Sequence, residues 1–218
     1  MSLAAAEPGR DCPLCPRLAA FRAANRAAHP GFWNAPVPGF GSLDAALAII
    51  GLAPGLKGAN RTGRPFTGDY AGDLLYATLL GFGLAEGRYG ADPADGLRLT
   101  GARIVNAVRC VPPENRPTPA EAASCRPFLE SELAAMPRLR AVIALGRIAH
   151  DAVLRSWRLP GSRAAFAHGA LHRLPGRPIL ADSYHCSRYN TNTGRLTEAM
   201  FRQVFADTLA AIAEPAPA

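Results

Sequence analysis

Lysine is almost missing from this chain. Of 24 basic residues Lys57 is the single lysine and the others are arginine. So little lysine leaves little scope for Schiff-base chemistry, which needs an amine at the reacting carbon. Long apolar runs are missing too. None approaches the roughly 20 residues that span a bilayer. The opening residues, MSLAAAEPGRDCPLCPRL, have no basic n-region and no apolar h-region, so no secretory signal and a cytoplasmic location are expected. No repeat is visible. No GxGxxG opens a helix and no GxxxxGK[ST] occurs, which removes the dinucleotide fingerprint and the Walker loop.

What is present suits one α/β domain over residues 1–213 and a frayed tail at 214–218. At 49 % hydrophobic the 218 residues can build a core, and a net charge of +7 with pI near 9.6 leaves the surface basic. The arginine bias has two readings. A GC-rich genome favours Arg, Ala, Gly and Pro codons, and a polyanion partner favours arginine for its bidentate phosphate contacts.

Four short apolar runs recur at wide spacing: 46–52, 102–108, 140–146 and 177–183. Helical patterns lie between them, over 70–84, 119–136 and 147–157, with another over 197–213. Thr118, Pro119 and Glu121 form a strong helix start, as N-cap, N1 and N3. Strand–helix alternation predicts a parallel sheet covered on both faces. Such sheets bind ligands at the carboxyl ends of their strands.

The first run feeds the loop GLAPGLKGANRTGRPFTGD, residues 51–69. Its glycines, with Asn60, Arg61, Thr62 and Arg64, can cradle phosphate. Phe66 is either a plug over the core or a stacking platform for a planar ligand. Asp69 is either the N-cap of the next helix or an active-site carboxylate. Asn106 interrupts the apolar IVNAV, as a satisfied structural amide or as a reader of a base edge such as that of uracil. His185 follows the fourth run and precedes the polar loop 187–195, which holds Arg188, Tyr189, Asn190 and Arg195. The other histidines have no comparable setting.

Five cysteines remain. Cys12 and Cys15 make a CxxC, Cys110 and Cys125 bracket a proline-rich loop, and Cys186 stands beside His185. In a reducing compartment metal ligation is a better expectation than disulfides. Four thiolates can hold zinc or a [4Fe–4S] cluster, and the absence of a second CxxC knuckle favours the cluster. Cys186 is expected to be a small buried side chain.

Taken together, GLAPGLKGANRTGRPFTGD, NAVRCVPPENRPTPAEAASC and SYHCSRYNTNTGRLT, with CPLC in front, resemble the family 5 uracil-DNA glycosylases over nearly the whole chain. The resemblance implies a three-layer α/β/α fold around a four-stranded parallel sheet. It implies removal of uracil, and of other deaminated bases such as hypoxanthine, from DNA by base flipping. It implies a structural [4Fe–4S] cluster on Cys12, Cys15, Cys110 and Cys125. In the base pocket it places Gly51, Ala53, Phe66, Asn106 and His185, with Asp69 and His185 catalytic. On DNA it places Asn60, Arg61, Arg64, Ser187, Arg188, Tyr189, Asn190 and Arg195, with Arg188 or Tyr189 as the wedge. Ala53 stands where many members of the wider superfamily carry a polar or acidic residue, and family 5 shares the apolar version. Cys186–Ser187 replaces the more usual Pro–Ser. With no second lysine, a monofunctional enzyme that leaves an abasic site is expected, acting as a monomer. The rival readings are an iron–sulfur electron carrier and a non-catalytic nucleic-acid-binding module.

Overall fold

Alternation along the strands organises the molecule. The computed structural model describes residues 5–213; the expected frayed tail, 214–218, lies outside them. In chain order the elements are α1 (Pro16–Ala28), β1 (Leu47–Gly51), α2 (Ala59–Thr62), α3 (Tyr70–Gly81), β2 (Ala85–Glu86), β3 (Arg98–Leu99), β4 (Ala102–Asn106), α4 (Pro119–Ala134), β5 (Ala141–Leu145), α5 (Arg147–Ser156), β6 (Leu171–His172), β7 (Ile179–Ser183), α6 (Arg188–Asn192) and α7 (Glu198–Ala213). The main sheet runs β4-β1-β5-β7-β6.

Successive residues of a strand point to opposite faces. Leu47, Ile49, Ile104, Ile143 and Ala181 meet Leu75, Tyr76 and Leu79 of α3 and Phe201, Val204 and Phe205 of α7. Ala48, Ile50, Val105, Val142 and Leu180 meet Leu129 and Leu133 of α4 and Val153 and Leu154 of α5. The expected three layers are therefore present. The expected four strands become five. The four long ones are parallel, and β6 adds an antiparallel edge through Leu171↔Ala181 and His172↔Leu180. A two-residue strand leaves no period in the sequence, which is why this edge was not expected.

The helix starts follow their caps. Thr118 Oγ1 accepts from the Glu121 N–H at 3.2 Å, and Glu121 returns a carboxylate to the Thr118 N–H at 2.7 Å. This capping box satisfies two of the orphan donors of α4. Glu121 also pairs with Arg17 of α1 at 2.7 Å, so one side chain both starts α4 and ties it to the N-terminal helix.

Candidate active site and cysteine cavity

A cleft of about 850 Å³ opens at the carboxyl ends of β1, β4 and β7. Gly51, the last residue of β1, is small by necessity: a Cβ there would lie 2.4 Å from Asn106 Oδ1 and 2.7 Å from the Phe66 ring. That close approach brings the amide and the aromatic together. Phe66 has φ of +52°, a conformation that costs a bulky residue energy and that clusters at functional sites. The surroundings hold it there. The Tyr89 hydroxyl donates to the Phe66 carbonyl at 3.2 Å, and Tyr76 donates to that of Pro65 at 2.7 Å. The Phe66 ring is buried against the core and lies 5.9 Å from the His185 ring, inclined by 28°.

Asn106 is 3 % exposed, and its Oδ1 meets no hydrogen-bond partner among the described residues. An orphaned buried acceptor costs about 1–3 kcal/mol. It borders the cleft with Phe66 and His185. Asp69 is the N-cap that one reading expected, and it also lines the cleft. It caps α3 by accepting from the Gly72 N–H at 3.3 Å. Gly58 makes room for it, since a Cβ there would fall 2.2 Å from Asp69 Oδ2. Burial pushes the Asp69 carboxyl above its usual range, with the Gly72 N–H opposing. Burial also pushes His185 down to about 4, so its imidazole is neutral at pH 7 and has one N–H to donate.

The remaining candidates divide. Arg61, Arg188, Tyr189 and Arg195 are on the surface, Tyr189 at 71 % exposure. Arg188 lies over Tyr70 and Arg195 over Tyr184. Ser187 caps α6, and Asn190 donates to the His185 carbonyl at 2.8 Å, bracing the loop rather than leaving it. Asn60 and Arg64, expected on DNA, are a correction. Asn60 is buried and donates to Asn34 Oδ1 at 2.9 Å. Arg64 is 5 % exposed, forms a bidentate pair with Asp95 at 2.7 and 2.8 Å, and lies over the rings of Phe40, Tyr76 and Tyr89. Asn60 ties the loop to Asn34, and Arg64 packs on the Tyr76 and Tyr89 rings whose hydroxyls hold the Pro65–Phe66 turn. Ala53 lines the cleft as expected; exposed Lys57, for which no place at the site was expected, lines it too.

Asn115 also lines the cleft and was not foreseen. Glu114 and Asn115 are successive left-handed residues, φ +55° and +56°, which turn the proline-rich loop toward the site. The only signal was an Asn, a residue tolerant of that conformation. Cys186 is fully buried and its thiol donates to the Ala71 carbonyl at 3.4 Å. Burial raises its pKa strongly, which removes it as a nucleophile and agrees with the structural reading.

Cys12, Cys15, Cys110 and Cys125 converge on one cavity, lined also by Leu18, Arg22 and Phe128. They arrive from the N-terminal loop, the N-cap of α1, the segment after β4, and α4. Two N–H donors already reach sulfur: Arg22 to Cys110 and the Arg109 backbone to Cys125, each at 3.4 Å. An apolar enclosure with four sulfurs and N–H donors is the environment that thiolate-bound metal centres use, so these residues fit such a group.

Known proteins give this geometry its context. Residues 38–209 match the family model of the Uracil DNA glycosylase superfamily. A Type-5 uracil-DNA glycosylase of Thermus thermophilus is 48 % identical over 198 residues, covering 88 % of this chain and 90 % of that protein. The Type-5 uracil-DNA glycosylases of Mycobacterium leprae and Pyrobaculum aerophilum are 45 % and 41 % identical, over 90 % and 89 % of this chain and 89 % and 86 % of their own lengths. A Type-4 uracil-DNA glycosylase of Pyrobaculum aerophilum matches less of it, 35 % identical over 59 % of the chain. With nearly its whole length accounted for in this way, the chain belongs to the uracil DNA glycosylase superfamily and falls with its type-5 members.

Proposed function

We propose that the protein is a monofunctional DNA glycosylase of base excision repair that hydrolyses the N-glycosidic bond of uracil. The orphaned Oδ1 of Asn106, a residue that lines the cleft with Phe66 and His185, carries this reading. Uracil offers an N3–H to that oxygen and a carbonyl to the amide NH2, and its flat ring suits stacking on Phe66. Hypoxanthine presents an equivalent N–H and carbonyl edge, so the same amide accepts other deaminated bases.

The target base is reached by flipping it out of the duplex, at a cost of a few kcal/mol, roughly, that a mismatch lowers. Arg61, Arg188 and Arg195 offset this by holding phosphates, and Tyr189 fills the gap left in the stack. Bond cleavage then places positive charge on the sugar and negative charge on the departing base. Asp69 stabilises the cation and orients water, whose hydroxyl joins C1′ while its proton balances the released base. His185 donates from its neutral ring to a base carbonyl, as an oxyanion hole does.

Cys12, Cys15, Cys110 and Cys125 would hold a [4Fe–4S] cluster that joins α1, the 110–125 loop and α4. When bound it supplies a structural crosslink, and no chemical step is assigned to it. The partner is DNA, the protein acts as a monomer, and its place is the cytoplasm at the nucleoid.

The test is a labelled duplex with one uracil, incubated with purified protein and then split into portions with and without alkali. Breakage only after alkali is expected, for the protein as it is and for Lys57→Ala alike. Breakage without alkali that Lys57→Ala abolishes would overturn the monofunctional assignment. Tight binding with no abasic product would favour the binding module.

A further inference from the structure

A second buried polar centre lies just behind the site, three residues before His185 in the chain. Asp182 of β7 is fully buried. Its Oδ1 lies 2.7 Å from His150 Nδ1 of α5, and its Oδ2 lies 2.9 Å from His172 Nε2 of β6 and 3.2 Å from the Ala167 N–H. The other nitrogen of His150, Nε2, lies 3.1 Å from the Ala164 carbonyl. A carbonyl only accepts, so Nε2 carries a hydrogen. Nδ1 faces Oδ1 of a carboxylate whose other oxygen, Oδ2, accepts from the Ala167 N–H and lies against His172 Nε2; an ionised carboxylate only accepts, so Nδ1 carries a hydrogen as well. A neutral imidazole has one N–H and cannot serve both contacts.

We propose that His150 is a buried imidazolium which, through Asp182, clamps segment 164–172 onto β7 and so positions His185 for the base. The segment is bound to β7 along its length. The Gly169 N–H donates to the Asp182 carbonyl at 2.8 Å, the Asp182 N–H to the Ala170 carbonyl at 3.0 Å, and the Tyr184 N–H to His168 Nδ1 at 3.1 Å. The His168 and Tyr184 rings stack at 4.9 Å. Releasing the pair frees the backbone at Tyr184, the residue joined to His185. A displacement of one ångström at a catalytic group is costly to rate, so these are positioning residues and touch no reacting atom.

The charged and titratable groups around His150 are Asp151 on its own helix, Asp182 on β7 and His172 on β6. From the loop side come the Ala164 carbonyl and the edge of Phe166, which carries Arg147 on its ring. Burial opposes the charge on His150, but the hydrogen bond and charge of Asp182 and the Ala164 carbonyl outweigh it, and its pKa is raised. The 2.7 Å contact is that of a hydrogen bond. A divalent ion held at ~2 Å from each ligand atom would keep nitrogen and oxygen farther apart, so a proton is the cation favoured here. A folded pKa raised above the unfolded value gives stability that is complete below about pH 6.5 and is lost as pH rises through the folded value.

The inference rests on His185 contacting the base, and the test separates the two. Nitrogen-15 NMR of the full chain at pH 7, where a free imidazole is mostly neutral, should show both His150 ring nitrogens protonated, assigned by their loss in His150→Gln. Asp182→Asn replaces the charge-assisted pair with a weaker neutral contact from its amide to His150, so the fold is kept while the clamp is loosened. This variant should excise uracil roughly tenfold more slowly in single turnover at unchanged DNA affinity. The native chain should lose rate as pH rises through the His150 pKa, and this variant should lack that fall. One unprotonated nitrogen at pH 7, displacement of the protons by one equivalent of zinc, or an Asp182→Asn variant with the native rate and pH profile would each overturn it. Loss of the base-contact reading shows separately, as native excision by His185→Ala with the His150 resonances unchanged.

Discussion

At the scale of single residues, the site works by burying polar groups that the unfolded chain leaves in water. His185 is the clearest instance. Its folded pKa is pushed down to about 4, while the unfolded chain takes up that proton near 6.5. Between those values the unfolded state binds more protons, so stability falls as pH drops through this window. Unfolding by guanidinium at pH 7 and pH 5 should show the native chain losing about 2 kcal/mol more than His185→Gln. Equal losses would mean that His185 is not held neutral. That Phe66, Asp69, Asn106 and His185 share one cleft could be read from the sequence, because each is an odd residue type at the end of a core strand or in the loop after it. Asn60 and Arg64 were misplaced because a polar loop residue gives no sign of its burial; that depends on Asn34 and Asp95, 26 and 31 residues away. Asn115 was hidden because successive left-handed residues leave no pattern.

At the scale of elements, the sheet was legible and its edge was not. Buried strands of five residues leave apolar runs, and β6, with two, leaves none. The start of α4 was read from Thr118, Pro119 and Glu121, and the capping box is there. Thr118→Ala should lower stability by about 1 kcal/mol, seen as a lower urea midpoint with an unchanged slope. An unchanged midpoint would show that Glu121, through Arg17, holds the helix start without its cap. The element matters to function because α4 carries Cys125 and follows the loop that brings Asn115 to the cleft.

At the scale of the whole molecule, the cleft and the cysteine cavity share one stretch of chain. β4 ends in Asn106 at the cleft, and the chain reaches the cysteine cavity four residues later at Cys110. Anaerobically purified protein should contain roughly four iron atoms per chain. Cys110→Ser should lose iron and thermal stability together. One zinc per chain instead of iron would replace the cluster with a single ion.

The central claim is that this cleft breaks a bond and does more than bind DNA. Asp69→Asn tests it most directly, because Asn caps a helix as well as Asp and so preserves the start of α3 while removing the charge. Single-turnover excision of uracil by this variant should fall by about 10²–10³-fold, with DNA affinity and melting temperature retained. Excision at the native rate, or a loss no larger than the loss in DNA affinity, would contradict the account.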